Sequence, residues 1–162
     1  MKIRLYKSED YVSVSTIYKN GIETGIATFE TKVPDEQNWN KKFIADCRFV
    51  IERENKIIGW CALSQVSTRE VYKGVAECTI YISEEYRDQG VGKTLLKHLI
   101  SDSEAKGFWT LQASIFSENK ASIFLHETCG FRIIGYRERI AKKNGIWHNN
   151  VLMERRSKSF LD

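Results

Sequence analysis

Arg87-Asp88-Gln89-Gly90-Val91-Gly92-Lys93-Thr94 is the stretch whose reading decides the fold. It lies between residues 75–83, whose alternation predicts a strand, and residues 91–106. In the latter Val91, Leu95, Leu96, Leu99 and Ile100 recur at helical spacing, and Gly107 marks the end. Glycines in a strand-to-helix turn let the backbone approach a ligand closely. The helix start adds unpaired N–H groups and a partial positive charge, for which phosphate is the natural occupant. Three nucleotide readings compete. Gly92-Lys93-Thr94 imitates the end of G-x-x-x-x-G-K-[ST], but the first glycine would fall on Arg87. The next strand, LQASIF, also lacks the acidic residue that would hold magnesium. G-x-G-x-x-G fails at its third glycine, which is Leu95, and the strand comes too late for an N-terminal βαβ unit. The remaining reading is R-x-x-G-x-G, with Arg87 as a forked donor reinforcing a pyrophosphate site.

Working outward, Ser8 is expected to cap a helix to about Asn20, with Val12, Val14, Ile17 and Tyr18 giving apolar contacts and Gly21 as the stop. Pro34 is expected to open a second helix through Trp39, Phe43 and Ile44. Residues 49–53 and 56–65 read as strands joined by a hairpin turn at Glu54-Asn55-Lys56. After the glycine loop and its helix come a strand over 109–116 and a short helix over 117–129, with Ile123, Phe124 and Leu125 inward. Two strands close the chain, 131–140 and 146–153, turning at Lys143-Asn144-Gly145. The order αα, three strands, α, β, α, ββ predicts a mixed sheet with helices on its faces, an α+β arrangement.

The 162 residues suit one domain, taken as 1–162, with no linker, repeat or low-complexity run. A net charge of +4 from 25 basic and 21 acidic residues is not the footprint of a nucleic-acid binder. The densest charged run, Glu154-Arg155-Arg156-Ser157-Lys158, reads as a solvated tail. No apolar window approaches membrane-spanning length and no signal peptide is evident. Cys47, Cys61, Cys78 and Cys129 form no C-x-x-C pair and have no His cluster beside them, so no metal is expected. They read as reduced thiols of a cytoplasmic protein.

R-x-x-G-x-G at residues 87–92 resembles the acetyl-CoA loop of the GNAT acyltransferases. Asn119-Lys120-Ala121-Ser122-Ile123-Phe124-Leu125-His126-Glu127-Thr128-Cys129-Gly130-Phe131 resembles the second signature of that superfamily, a helix ending in Gly-Phe. The resemblance implies a central mixed, mostly antiparallel sheet of six to seven strands with about four helices. Within the superfamily the chain is most similar to the phosphinothricin and methionine sulfoximine N-acetyltransferases. Four segments carry this: Glu23-Thr24 with Ala27–Glu30, Arg69–Tyr72 with Ala76–Ser83, Ser122–Glu127, and Lys143–His148. Asn149 departs from the pattern, since the family usually has Asp after the Trp-His pair. Asn retains the hydrogen bond there and loses the charge.

Acetyl transfer to an amine needs a neutral amine, fixed donors for the tetrahedral oxyanion, and an acid beside the departing thiolate. Glu77 is the candidate base: Glu is uncommon in strands, and this one stands in an otherwise uncharged run. An edge-strand Glu facing water is the plainer reading, and the resemblance favours catalysis. The resemblance puts His126 where many members have the Tyr that protonates the thiolate; a helix His facing the sheet is the alternative. Acetyl-CoA is the implied co-substrate. It would be held by the backbone of Ile80, Tyr81 and Ile82 as an added strand. Its phosphates would meet the loop Arg87, Asp88, Gln89, Gly90, Val91, Gly92 and Lys93, and Asn119 and Ser122 would contact it unless they only cap their helix. For the amine, the resemblance implies Arg69 on a substrate carboxylate, Tyr72 on the same group and Phe29 as an apolar wall. The expected activity is acetylation of the α-amine of a small amino acid or glutamate-like analogue by a homodimer. The alternatives are another amine (a polyamine, an antibiotic or a protein N-terminus) and a non-catalytic acyl-CoA-binding module.

Overall fold

Alternating apolar residues sort the strands into two faces, and their pairing builds one sheet of seven. The computed structural model of the chain describes residues 1–160. The strands are β1 (Lys2–Leu5), β2 (Arg48–Arg53), β3 (Lys56–Gln65), β4 (Val75–Ile82), β5 (Thr110–Phe116), β6 (Arg132–Lys143) and β7 (Ile146–Arg156), in spatial order β1-β2-β3-β4-β5-β7-β6. The helices are α1 (Tyr11–Glu23), α2 (Glu36–Lys42), α3 (Val91–Ala105) and α4 (Lys120–Thr128). All neighbours are antiparallel except β4 and β5.

That parallel pair creates the site. It holds register only from Val75 to Glu77, opposite Thr110 to Gln112. Beyond it β4 stays with β3 and β5 stays with β7, so the two middle strands part. Backbone N–H and C=O groups along the parted edge are left needing partners.

The register also assigns the faces. Glu77, Gln112 and Glu154 lie in one row, with Ser114 opposite Leu152 and Phe116 opposite Asn150 in later rows of that face. Over β2–β4, α1 and α2 cover it with Val14, Ile17, Tyr18 and Trp39 against Val50 and Trp60. The opposite face sends Ala76, Cys78, Leu111, Ala113, Ile115 and Met153 into α3. Leu95, Leu96 and Leu99 are there 0% exposed, each contributing about 1.5–3 kcal/mol by burial.

Several local expectations need correction. β1 was not foreseen: Lys-Ile-Arg-Leu is short and half charged, the pattern of a protected edge. Tertiary pairing holds it, because Arg4 reaches both Asp10 and Glu52. Ser8 does not cap α1; Ser8–Asp10 is a 3-10 turn closed by Lys7 N–H donating to the Asp10 carboxylate at 2.8 Å. Gly21 does not stop α1, which continues to Glu23. A Cβ on Gly21 would lie 2.5 Å from the Tyr81 ring, so this glycine is a packing notch. Asp35, not Pro34, starts α2, accepting from Asn38 N–H at 2.8 Å, and Phe43 and Ile44 lie past its end. The helix expected over 117–129 begins only at Lys120. Val12 and Phe124 are 74% and 68% exposed, so neither is a core contact. The charged run is no tail up to Arg156: β7 includes Glu154, Arg155 and Arg156, and Arg155 pairs with Glu104 at 2.7 Å. Lys143 is not a turn residue but the buried end of β6.

Candidate active site

A cavity of about 410 Å³ opens where β4 and β5 part. Its walls come from both strands, the loop after α1, the start of α4, and β7. Among the residues singled out from sequence, Phe29, Glu77, Ile80, Tyr81, Asn119, Ser122 and His126 line it. Ile82 and the loop Arg87–Lys93 lie beyond the lining, at the C-terminal end of β4. Arg69 and Tyr72 are not brought to it: both are exposed beside the 3-10 turn Glu70–Tyr72, with the Arg69 guanidinium 5.3 Å from the centre of the Tyr72 ring.

The glycine loop turns on left-handed backbone. Gly90 enters α3 at φ 77°, a left-handed conformation that favours glycine, and Asp88 also has positive φ, at 58°. Gly92 serves another purpose: a Cβ there would lie 3.2 Å from Leu125, so it admits α4 close to α3. Thr94 closes the first turn, donating its N–H (3.0 Å) and Oγ1 (3.1 Å) to the Gly90 carbonyl. The amides of Val91, Gly92 and Lys93 then have no intrahelical acceptor. Arg87 Nε donates to the Ile82 carbonyl at 3.3 Å, which ties the side chain to the end of β4.

Glu77 is half-buried on the α1 face, and its Oε2 accepts from Gln112 Nε2 at 3.1 Å. His126 approaches from the other face and is 2% exposed. Its Nδ1 lies 2.7 Å from the Ser122 carbonyl, which can only accept, so Nδ1 carries the proton. In the neutral ring Nε2 is then an acceptor, 3.6 Å from Cys78 Sγ. Burial lowers the His126 pKa, partly opposed by the Ser122 bond. Burial also pushes the Cys78 thiol up to about 12, with the Glu77 charge adding to it. The resting pair is therefore a neutral imidazole beside a neutral thiol. All four cysteines are buried free thiols. Among the described residues no side-chain cluster suits a metal ion.

The Tyr81 ring belongs to the core, stacked on Trp60 at 5.2 Å and tilted against Tyr18 at 4.8 Å. Burial raises both tyrosine pKa values, that of Tyr18 to about 12. What Tyr81 offers the cleft is therefore chiefly backbone. Asn119 caps α4 by accepting from Ser122 N–H at 3.1 Å, and it also lines the cavity. Phe29 lies 4.4 Å from Phe116, whose ring is 4.8 Å from His148. Asn149 Oδ1 accepts from Arg139 N–H at 2.7 Å, where Arg139 has φ 46°. The residue that departs from the family pattern thus pins a bulge in β6 to β7.

Sequence reasoning missed Gln112, Asn150 and Lys143. Gln112 had a signal, a polar residue in a strand run as Glu77 is, but only parallel register places it beside Glu77. Lys143 had none. Its Nζ donates to the Ile22 carbonyl at 3.1 Å and the Thr28 carbonyl at 2.8 Å, holding the end of α1 and the loop that roofs the cavity. Burial lowers its pKa.

Residues 15–131 match the profile of the Acetyltransferase (GNAT) family. The chain is 32% identical to a phosphinothricin N-acetyltransferase of Alcaligenes faecalis, over 94% of this chain and 81% of that one. A phosphinothricin acetyltransferase of Sinorhizobium meliloti, solved with acetyl-CoA, superposes with TM-score 0.87 at 29% identity, over 96% of this chain and 87% of that one. A ribosomal-protein-alanine N-acetyltransferase of Brucella melitensis superposes with TM-score 0.88 at 25% identity, over 97% and 100%. With the glycine loop, the parted strands and these likenesses together, the chain belongs to the acetyltransferase (GNAT) family.

Proposed function

We propose that this acetyltransferase, with residues 1–162 acting as one unit, transfers acetyl from acetyl-CoA to the α-amine of a small amino acid or glutamate-like analogue. The observation that carries the reading is the wedge between β4 and β5, with Glu77 on one face and His126 on the other. Pantetheine pairs with the free edge of β4 at Ile80–Ile82, and the phosphates sit on the α3 amides beside Arg87. Asn119 and Ser122 contact the pantetheine from the start of α4. Glu77 takes the proton of the ammonium. The freed nitrogen attacks the thioester carbonyl, an amide of β4 holds the oxyanion, and the C–S bond breaks. His126 stands beside the departing thiolate. Its resting ring is neutral, so it protonates the sulfur only after a proton released in the transfer reaches it.

Phe29 walls off the aliphatic stem. Arg69 and Tyr72 lie outside the cavity lining, and their role on the substrate carboxylate requires their turn to fold inward when the amine binds. The protein acts as a cytoplasmic homodimer. A row of exposed apolar residues on β6 and the start of β7, including Ile133, Tyr136, Ile140 and Trp147, supplies the surface for that contact. No described helix is long and apolar enough to cross a membrane.

A thiol-release assay with acetyl-CoA tests the substrate class, against methionine sulfone and sulfoximine, phosphinothricin, the common amino acids, spermidine, an aminoglycoside and an alanine-terminated peptide. Turnover of the amino acids is expected. Turnover of spermidine or the peptide with no amino acid used would overturn the α-amine reading. Light scattering at rising protein concentration tests the dimer, which a constant monomer mass refutes.

A further inference from the structure

Three side-chain nitrogen or oxygen atoms among the described residues are sealed from solvent with no hydrogen-bond partner: Trp39 Nε1, Trp60 Nε1 and Asn150 Oδ1. The two indoles belong to the aromatic core under α1 and α2. Asn150 alone of the three lines the cavity. It is 7% exposed. A buried amide oxygen without a donor is unfavourable, and native structures rarely keep one without a reason.

Its position narrows what that reason is. Asn150 on β7 is opposite Phe116 on β5, so it shares a face with Glu77 and Gln112. That is the face roofed by Phe29, and His126 and Cys78 approach the cleft from the other side. Phe116 is the neighbour of Asn150 across β5, Arg137 is its neighbour across β6, and Phe29 and Ala27 bring apolar surface to the same cavity. The asparagine χ2 is broad, and rotating it exchanges a carbonyl oxygen for an NH₂ group, so one side chain offers either an acceptor or two donors.

We propose that Asn150 is a specificity-determining residue. Its carboxamide hydrogen-bonds a polar group carried on the apolar stem of the amine substrate, and so selects such amines over purely aliphatic ones. The proposal rests on the amine-acetyltransferase reading above and adds to it the chemistry of the substrate's side chain. A site with an unpaired buried polar group gains from a ligand that pairs it and rejects the analogue that leaves it unpaired.

The test is Asn150→Leu, near in shape and without the amide. Turnover of methionine sulfone is compared with that of methionine, and glutamine with norleucine, alongside thermal unfolding of the free protein. The wild type should favour the polar member of each pair, and the variant should lower that preference about tenfold. Its melting temperature should be unchanged or higher, because no native hydrogen bond to Oδ1 is lost. A preserved preference overturns the proposal while leaving the acetyltransferase reading intact. A rise in the acetyl-CoA KM with no change in preference also overturns it, since Asn150 would then serve the cofactor. A melting temperature lower by more than about 4 °C overturns it independently of any activity, because the residue would be structural.

Discussion

Replacing Glu77 with Gln removes the proposed base while changing little else. Among the described residues the Glu77 carboxylate has one side-chain partner, Gln112, whose Nε2 donates to Oε2 at 3.1 Å. A Gln at position 77 keeps an oxygen for that donor, so the β4–β5 junction retains its hydrogen bond. Glu77 is half-buried and has no cation within salt-bridge distance among the described residues. Losing its charge therefore costs little stability. For a chain of 162 residues, about 1 kcal/mol corresponds to roughly 3 °C in Tm, so the variant should melt within about 3 °C of the wild type. The chemical step should suffer far more. A positioned base contributes about 10²–10⁴-fold, or about 2.7–5.4 kcal/mol in the barrier. The KM for acetyl-CoA should hold, because the phosphate loop and β4 backbone are unaltered. A second signature follows from the amine. Without a base, transfer depends on the fraction of amine already neutral, so the variant's kcat/KM should keep climbing through the alkaline range, because the α-amine of a free amino acid, beside its carboxylate, titrates above the ~8 of a peptide terminus. Initial rates by thiol release between pH 6.5 and 9.5, on protein checked by thermal unfolding, decide the matter. A rate within threefold of wild type at pH 7 refutes Glu77 as the base. So does an acetyl-CoA KM that rises in step with the loss of turnover.

Gly21→Ala sets helix propensity against packing. Alanine favours α1 by about 1 kcal/mol, but its Cβ would meet the Tyr81 ring at 2.5 Å, and overpacking costs about 1–3 kcal/mol. With Tyr81 held between Trp60 and Tyr18, a Tm lower by up to about 6 °C is expected by thermal unfolding; a more stable variant refutes the notch. His126 has its pKa lowered by burial, so the unfolded chain takes up its proton first as pH falls. Its contribution to stability is therefore complete above the unfolded value of about 6.5 and is lost below it. Urea midpoints from pH 7.5 to 5 should decline less steeply in His126→Asn than in the wild type; equal slopes refute the neutral buried ring. Lys143→Met removes the ammonium from the carbonyls of Ile22 and Thr28; Ile22 still accepts from Gly25 N–H at 3.1 Å, so the cost of about 1–3 kcal/mol for a carbonyl left dry falls on Thr28. The amine KM should rise more than the acetyl-CoA KM, because Thr28 and Phe29 roof the cavity; an unchanged ratio removes Lys143 from that role.

Local chemistry determined a good deal on its own. Gly90 had to be a residue that tolerates positive φ, and Gly130, at φ 88°, ends α4 so that Phe131 can pack edge-on to His126 at 5.0 Å. Both signatures are short-range backbone requirements, and short-range requirements are written in adjacent residues. The apolar periods of β3 and α3 were legible for the same reason. What the tertiary structure alone decided are relations between distant residues. β1 exists because β2 offers an edge and Arg4 finds Asp10 and Glu52. Gly21 resembles a helix stop until Tyr81 arrives from sixty residues away. Lys143 looks like a turn residue until its ammonium lies between two carbonyls more than a hundred residues earlier. Asn150 becomes a cavity wall only through its register with Phe116. The cleft itself is a failure of pairing: β4 and β5 agree for three residues and then follow different partners. Pairing energy between strands is a property of two segments at once, so no single stretch of sequence records where it stops.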